Sequence, residues 1–183
     1  RAGTRVRIGE SLVTPSNPRN NQLEVSLADF ATADLHPGTV NLQVLQPSQN
    51  HNGSLQAGAP PDQKLESNGA PFILRPSIED ITPLGLEDDA EDGITGTIQV
   101  TLHPPVGPRQ RAVLLLNERT TENPAAYSFD TPLRQNATDT LRFSIWGVSP
   151  GEYLLRVQID GAESLLTVDE DESSETYEQY VAP

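Results

Sequence analysis

Three histidines are the first residues to consider for chemistry, because imidazole binds metal ions and transfers protons near neutral pH. They are His36, His51 and His103, and no two of them stand two or four positions apart, the spacings that present two imidazoles to one metal ion. No serine lies in a Gly-x-Ser-x-Gly sequence, the turn that exposes the nucleophile of many hydrolases. We therefore predict surface histidines, and no catalytic, cofactor-binding or metal-binding residue.

An acidic cluster before a glycine is the next candidate, because successive carboxylates can wrap a calcium ion with oxygens. Its members are Glu87, Asp88, Asp89, Glu91 and Asp92. The cluster lacks the spacing and the distant glutamate of an EF-hand loop. The favoured interpretation is an acidic linker between domains that stays in water. A second acidic cluster, Asp169 to Glu172, is predicted to begin a solvated tail.

Two aromatic residues have roles that the sequence suggests. Trp146 is the single tryptophan, and an exposed indole can stack on a sugar or a partner protein. A lone tryptophan at the end of a strand more often covers the edge of a core, which is the interpretation we favour. Tyr153 follows a Pro-Gly pair and is predicted to form a tyrosine corner, whose hydroxyl bonds back to the backbone. Asn52 and Asn136 begin glycosylation sequons, which often arise by chance.

Composition and charge exclude several partners and sites. The 183 residues include 26 acidic and 12 basic side chains, for a net charge of −14. We expect neither nucleic acid nor anionic membrane as a partner, since phosphate contacts require clustered Lys and Arg. With no cysteine, no disulfide, thiolate metal site or cysteine nucleophile is possible. No run approaches the roughly 18 apolar residues that cross a bilayer, so we expect no direct membrane insertion. The absence of methionine suggests a piece of a longer protein.

The first part of the chain alternates apolar and polar residues in short runs, the pattern of half-buried strands. These runs are Arg5–Ile8, Leu23–Leu27, Val40–Val44 and Ala70–Arg75. The segment from Gln46 to Lys64 contains one large apolar residue among Pro, Ser, Asn and Gly, and it is predicted to be an exposed loop.

The second part shows the same signals more clearly. Predicted strands are Ile94–Leu102, Ala112–Leu116, Tyr127–Phe129, Leu141–Ile145 and Tyr153–Ile159. The continuous apolar run Ala112–Leu116 predicts a central strand. Asp160-Gly161 is a dipeptide that accepts positive φ angles, so it predicts a tight hairpin after the last of these strands.

These patterns predict an all-β fold of two tandem immunoglobulin-like β-sandwich modules. The expected boundaries are 1–77 for the first module, 78–93 for an acidic linker, 94–168 for the second module and 169–183 for an acidic C-terminal tail. Sixteen prolines and thirteen glycines leave little room for long helices.

Three segments, in this order, resemble the C-terminal immunoglobulin-like part of the tube-terminator or cap proteins of contractile injection systems, which are phage-tail-like particles. The segments are Ser67–Pro76, Val100–Asn117 and Ser149–Gly161. The resemblance spans most of residues 35–183. It implies a hexameric bacterial cap at the end of the inner tube and sheath distal to the baseplate, where it stops tube growth. It implies no catalytic residue.

The function predicted from the residues and the resemblance together is a non-enzymatic structural component of such a particle. Its partners would be tube and sheath proteins and further copies of itself, and it would be assembled in the bacterial cytoplasm as part of a particle that is released or attached to a membrane. An alternative is an extracellular adhesion or ligand-binding immunoglobulin-like module, calcium-dependent through Asp88, Asp89, Glu91 and Asp92. A third is the accessory domain of a polysaccharide-degrading enzyme.

Overall fold

A computed structural model of the chain describes residues 3–19, 21–30, 35–47, 64–120, 122–174 and 179–181. The chain divides into two compact units. Unit 1 comprises residues 1–35 and 39–73, and unit 2 comprises residues 36–38 and 74–183. The described residues include no helix with the length and apolarity that crossing a membrane requires.

Unit 1 contains a five-stranded sheet in which β3 pairs with β1, β4 and β5, and β2 pairs with β1. The strands are β1 Arg5–Ile8, β2 Ser11–Val13, β3 Gly38–Pro47, β4 Lys64–Glu66 and β5 Ala70–Leu74. The alternation in β1 explains its burial, because Val6 and Ile8 are buried while Arg7 lies between them. Arg7 forms an ion pair with Glu66 at 3.0 Å. The predicted strands Arg5–Ile8, Val40–Val44 and Ala70–Arg75 therefore correspond to β1, β3 and β5.

The strand predicted at Leu23–Leu27 is wrong. Glu24 makes one isolated bridge with Ser16, and Leu27–Asp29 form a 3-10 helix. The physical reason is a capping box, in which Ser26 Oγ accepts the N–H of Ala28 and Asp29 Oδ2 accepts the N–H of Ser26. Most of the loop predicted from Gln46 to Lys64 lies outside the described residues, although β3 continues to Pro47.

Unit 2 is a β-sandwich of two antiparallel sheets. Strands β10, β7 and β6 form one sheet in that order, and strands β12, β11, β8 and β9 form the other. The strands are β6 Ser77–Asp89, β7 Gly93–Val106, β8 Ala112–Glu118, β9 Ala126–Asp130, β10 Thr138–Val148, β11 Tyr153–Ile159 and β12 Ala162–Glu163. The five strands predicted in this part are all present. The hairpin prediction is also confirmed, since Asp160 and Gly161 have φ angles of 45° and 88°.

A single hydrophobic core joins the two sheets of unit 2. Both sheets contribute fully buried side chains, among them Val100 and Phe143 from one sheet and Leu114 and Val157 from the other. The even-numbered residues of β7 face this core, whereas Thr95, Thr97, Gln99 and Thr101 lie between them. This one-sided pattern is what alternation along an antiparallel strand produces.

The structure differs from the predicted linker and tail. Residues 78–93 form most of β6 and the turn into β7, because Ile78 and Ile81 pack against the core while the acidic side chains of this edge strand face water. The predicted tail contains β14 (Tyr180–Val181), which pairs with β13 (Thr167–Val168) at the end of the predicted second module. The all-β class is confirmed. Two tandem immunoglobulin-like modules remain a prediction, since the described part of unit 1 contains one sheet.

Candidate functional site

A tyrosine corner holds the connection between β10 and β11, as the sequence predicted. The Tyr153 hydroxyl donates to the backbone oxygen of Ser149 at 2.8 Å. The Tyr127 hydroxyl lies 3.1 Å from both the hydroxyl and the backbone nitrogen of Ser149. Two phenols from different strands therefore fix one residue of the loop, which is a structural role.

The two phenols of this corner differ in acidity. The hydroxyl and N–H of Ser149 can donate to a phenolate, and they lower the pKa of Tyr127. Burial raises the pKa of Tyr153 to about 12, with a further contribution from the neighbouring Tyr127. The Glu118 carboxylate also acts on both phenols and raises both pKa values, so the shifts report the packing and the charges around the corner.

Trp146 covers the edge of the core and also remains exposed. Its ring centroid lies 5.0 Å from that of Phe129, edge to face at 73°, and Phe129 is buried. Phe129 in turn stacks on Tyr127 at 6.4 Å. The side chain of Trp146 is nevertheless 62% exposed. The contact fits the interpretation of an indole that closes the core, while part of the ring stays accessible.

The acidic turn, defined here as residues 87–92, is organised by its own backbone. Asp89 Oδ1 accepts the N–H groups of Glu91 at 2.8 Å and Asp92 at 3.2 Å, and these bonds lower the pKa of the Asp89 carboxyl. Residues 88–93 line a cavity of about 280 Å³ together with Gly147, Ser149 and Pro150. Across the described ranges, no three His, Asp or Glu side chains are grouped as a metal site, so the calcium hypothesis gains no support from the structure.

The remaining candidates that the structure describes are two histidines and Asn136. His36 Nδ1 is 2.8 Å from the backbone oxygen of Pro105, and His103 is exposed on β7. Asn136 is exposed between β9 and β10. His51 and Asn52 lie outside the described residues. The two described histidines are thus not brought together into one site.

A cleft with two arginines is the feature that sequence reasoning missed. We call it the arginine cleft; it has a volume of about 480 Å³ and is lined by Thr131, Pro132, Leu133, Arg134, Thr140, Leu141 and Arg142. It lies where the β9–β10 connection passes the first half of β10. Two guanidinium groups and two hydroxyls beside an exposed leucine can bind a carboxylate-bearing partner. The sequence signal was present as five arginines from position 109 to position 142 in a strongly acidic chain.

Hydrogen bonds position both arginines of the cleft. Arg134 Nη2 donates to the backbone oxygen of Gln110 at 3.0 Å, and Arg142 Nε donates to Gln99 Oε1 at 2.9 Å. Within the part of the chain that the structure describes, neither guanidinium forms an ion pair, and the buried Nε of Arg134 has no hydrogen-bond partner. Burial lowers the pKa of Arg134, partly offset by Asp160. Neither cation is thus neutralised by an ion pair with a described residue, and an acidic group would meet their terminal nitrogens rather than the buried Nε of Arg134.

Comparisons with known proteins give one family. A family model described as a domain of unknown function, DUF8756, matches residues 76–182. The match covers more than half of the chain and spans unit 2 from β6 to β14. No curated protein and no solved structure gives a match.

Proposed function

The chain belongs to the DUF8756 family, and we propose that it is a non-enzymatic structural component of a bacterial contractile injection system. It would be the C-terminal, immunoglobulin-like part of the protein that caps the tube and sheath at the end distal to the baseplate. In this role it contacts tube and sheath proteins through its parent chain, and it is present as a homo-oligomer, with six copies the expected number.

The observation that carries this proposal is the ordered resemblance of three segments to such cap proteins. Two of these segments, Val100–Asn117 and Ser149–Gly161, supply β8, β11, part of β7 and the tyrosine corner of unit 2. The third, Ser67–Pro76, contains β5. The resemblance therefore falls on core strands of unit 2 as well as on the turns that join them, which supports a likeness of the fold.

The surface of unit 2 suits a structural protein. The long strand β6 forms one edge of its sheet, and edge strands offer backbone groups that a neighbour can pair with. The two cavities of unit 2 described above are lined by the acidic turn with residues near Pro150 in one case and by arginines, threonines, Pro132 and leucines in the other. Function through contacts is the role that these surfaces fit.

Fractionation of a producing bacterium tests the proposal. The protein that contains this chain should sediment with intact particles and be found by mass spectrometry together with tube and sheath proteins. A strain without the tube gene is the control, since the protein should then leave the fast-sedimenting fraction. Recovery of the protein from the cell surface in both strains, with none in particles, would overturn the proposal.

A second candidate function is a ligand-binding or adhesion module. The observation that favours it is the exposure of Trp146, since an indole that is 62% exposed can stack on a sugar ring or a partner. The calcium-dependent form of this candidate is not favoured, given the arrangement of the acidic turn.

Binding to immobilised polysaccharides tests this second candidate. Retention that is lost in Trp146→Ala, but kept in a variant of an exposed leucine such as Leu165→Ala, would support it. Equal elution of the wild-type protein and the Trp146→Ala variant would remove it. Added millimolar calcium should leave the melting temperature unchanged, because a ligand stabilises only a fold that binds it.

A further inference from the structure

The acidic turn and the arginine cleft lie at different positions along the same sheet. Asp89 pairs with Gly93 at the start of β7. Thr138, which lies two residues before the first cleft residue of β10, pairs with Val106 at the end of β7. The 14 residues of β7 span roughly 40 Å at about 3.3 Å per residue. One end of the sandwich is therefore acidic, and the cleft extends from the opposite end toward the middle of β10.

The acidic turn cannot neutralise the cleft of its own copy. Arg142, the cleft arginine nearer to the turn, pairs with Gln99, which is roughly 20 Å along β7 from Gly93. That separation exceeds two Debye lengths of about 8 Å at physiological salt.

Of the acidic groups nearest the cleft in its own copy, Asp130 pairs with Arg111 and Asp139 accepts the hydroxyl of Thr140. A second molecule can therefore supply carboxylates to the two cleft arginines, neither of which forms an ion pair with a described residue.

The acidic turn has the properties that the cleft requires of a partner. Asp88, Glu91 and Asp92 are exposed and none of them forms an ion pair with a described residue. Asp89 fixes the shape of the turn through its two backbone hydrogen bonds, so these carboxylates are held on an ordered turn that loses little freedom on binding. Carboxylates on such a turn match guanidinium donors, which bind them at two points.

We propose that the arginine cleft of one copy binds the acidic turn of a second copy, so that unit 2 associates head to tail. The proposal deepens the homo-oligomer of the cap described above and rests on that function for its biological setting. The contact is heterologous, because the two surfaces differ. Such contacts close into a ring when the rotation between copies permits, and otherwise extend into an open chain.

Charge-reversal variants of the full chain provide the test, with sedimentation velocity at high protein concentration and 0.15 M salt as the measurement. Wild type should show a concentration-dependent increase in sedimentation coefficient. Arg142→Glu should lose it, and so should the double variant Asp88→Lys/Glu91→Lys. We expect at least about a tenfold weaker association in each, as for close charge pairs in other interfaces. Leu133→Asp, which changes an exposed residue of the cleft wall, should have the same effect.

Mixing gives the sharpest result. Arg142→Glu keeps an intact acidic turn, and Asp88→Lys/Glu91→Lys keeps an intact cleft. An equimolar mixture should therefore regain an association that neither variant shows alone, because the intact turn meets the intact cleft and the reversed charges at the other contact are also opposite in sign. Circular dichroism of each variant establishes that the fold is retained.

A matched control separates the contact from net charge. Glu170→Lys/Glu172→Lys makes the same change in total charge within the second acidic cluster, whose two glutamates are also exposed. This variant should associate like wild type or more tightly. If this variant loses association instead, or if the folded wild-type protein stays monomeric, the proposed head-to-tail contact is wrong. Fractionation tests separately whether the protein is present in particles.

Discussion

Removal of one hydroxyl from the tyrosine corner is a direct perturbation of the framework. Tyr153→Phe keeps the ring, its packing against the core and its edge-to-face contact with Tyr127. It deletes the hydroxyl, with its 2.8 Å hydrogen bond to the oxygen of Ser149 and its interaction with the Tyr127 hydroxyl. A neutral hydrogen bond contributes about 0.5–1.5 kcal/mol. Ser149 is exposed, so water can replace the lost donor, and we expect a loss of about 1 kcal/mol in the free energy of unfolding.

The difference in the free energy of unfolding between the wild-type protein and Tyr153→Phe should depend on pH. The pKa of Tyr153 is raised to about 12 in the folded protein, above the value near 10 of an unfolded chain. The stabilisation by the neutral phenol is therefore complete below pH 10 and is lost as the pH rises toward 12. The lowered pKa of Tyr127 acts in the opposite sense and offsets part of this loss.

Urea denaturation and ultraviolet titration of the phenols measure both effects. A loss of about 1 kcal/mol corresponds to a melting temperature about 4 °C lower for a domain of roughly 100 residues. The tyrosine that ionises near pH 12 should be absent from Tyr153→Phe and present in Tyr180→Phe, a control at a side chain that is 53% exposed. An unchanged free energy of unfolding, or a high-pH ionisation that survives in Tyr153→Phe, would refute the reasoning.

Three further predictions concern the core, the close approach of β7 to β6 at Gly96, and the acidic turn. Phe143→Ala truncates a fully buried side chain and should cost about 3–5 kcal/mol in urea denaturation; a cost below about 1 kcal/mol would mean that this position is not in the core. Gly96→Ala would place a Cβ 2.7 Å from Leu86 Cδ2 and 2.8 Å from the oxygen of Gly85, so it should lower stability by about 2 kcal/mol, whereas an unchanged melting temperature would contradict the close approach. The pKa of the Asp89 carboxyl is lowered by two backbone N–H donors, so this group should titrate below ordinary aspartates in NMR. Its contribution to the free energy of unfolding should be present at neutral pH and lost as the pH falls through its folded pKa. An ordinary titration would show that the turn is not formed.

Alternation and turn chemistry predicted most of unit 2. The strand Ile94–Leu102 was evident because one face is buried and the other is polar, and Asp160-Gly161 was evident because few dipeptides accept two positive φ angles. The corner tyrosine followed from its place just after a Pro-Gly pair. These features depend on residues that are neighbours in sequence, so the sequence alone contains the signal.

The sequence predictions were wrong or incomplete where the burial of a residue, or its bonding partners, depend on residues distant in the sequence. Strand β6 resembles a linker because an edge strand carries solvent-facing acids, and its apolar residues Ile78 and Ile81 become informative only beside β7. The segment Leu23–Leu27 alternates like a strand, but the capping box of Ser26 and Asp29 favours a 3-10 helix at its end. The arginine cleft combines residues from the β9–β10 connection and from β10. The spacing of these residues in the sequence does not indicate that they line the same cleft.

Direct localisation of the chain in a particle tests the central claim. Particles purified with the protein that contains this chain can be imaged by cryo-electron microscopy, with a label attached near residue 183. The account predicts six-fold density at the end of the particle distal to the baseplate, with the label at its surface. Density at the baseplate, or well-resolved particle ends that lack the label, would contradict it.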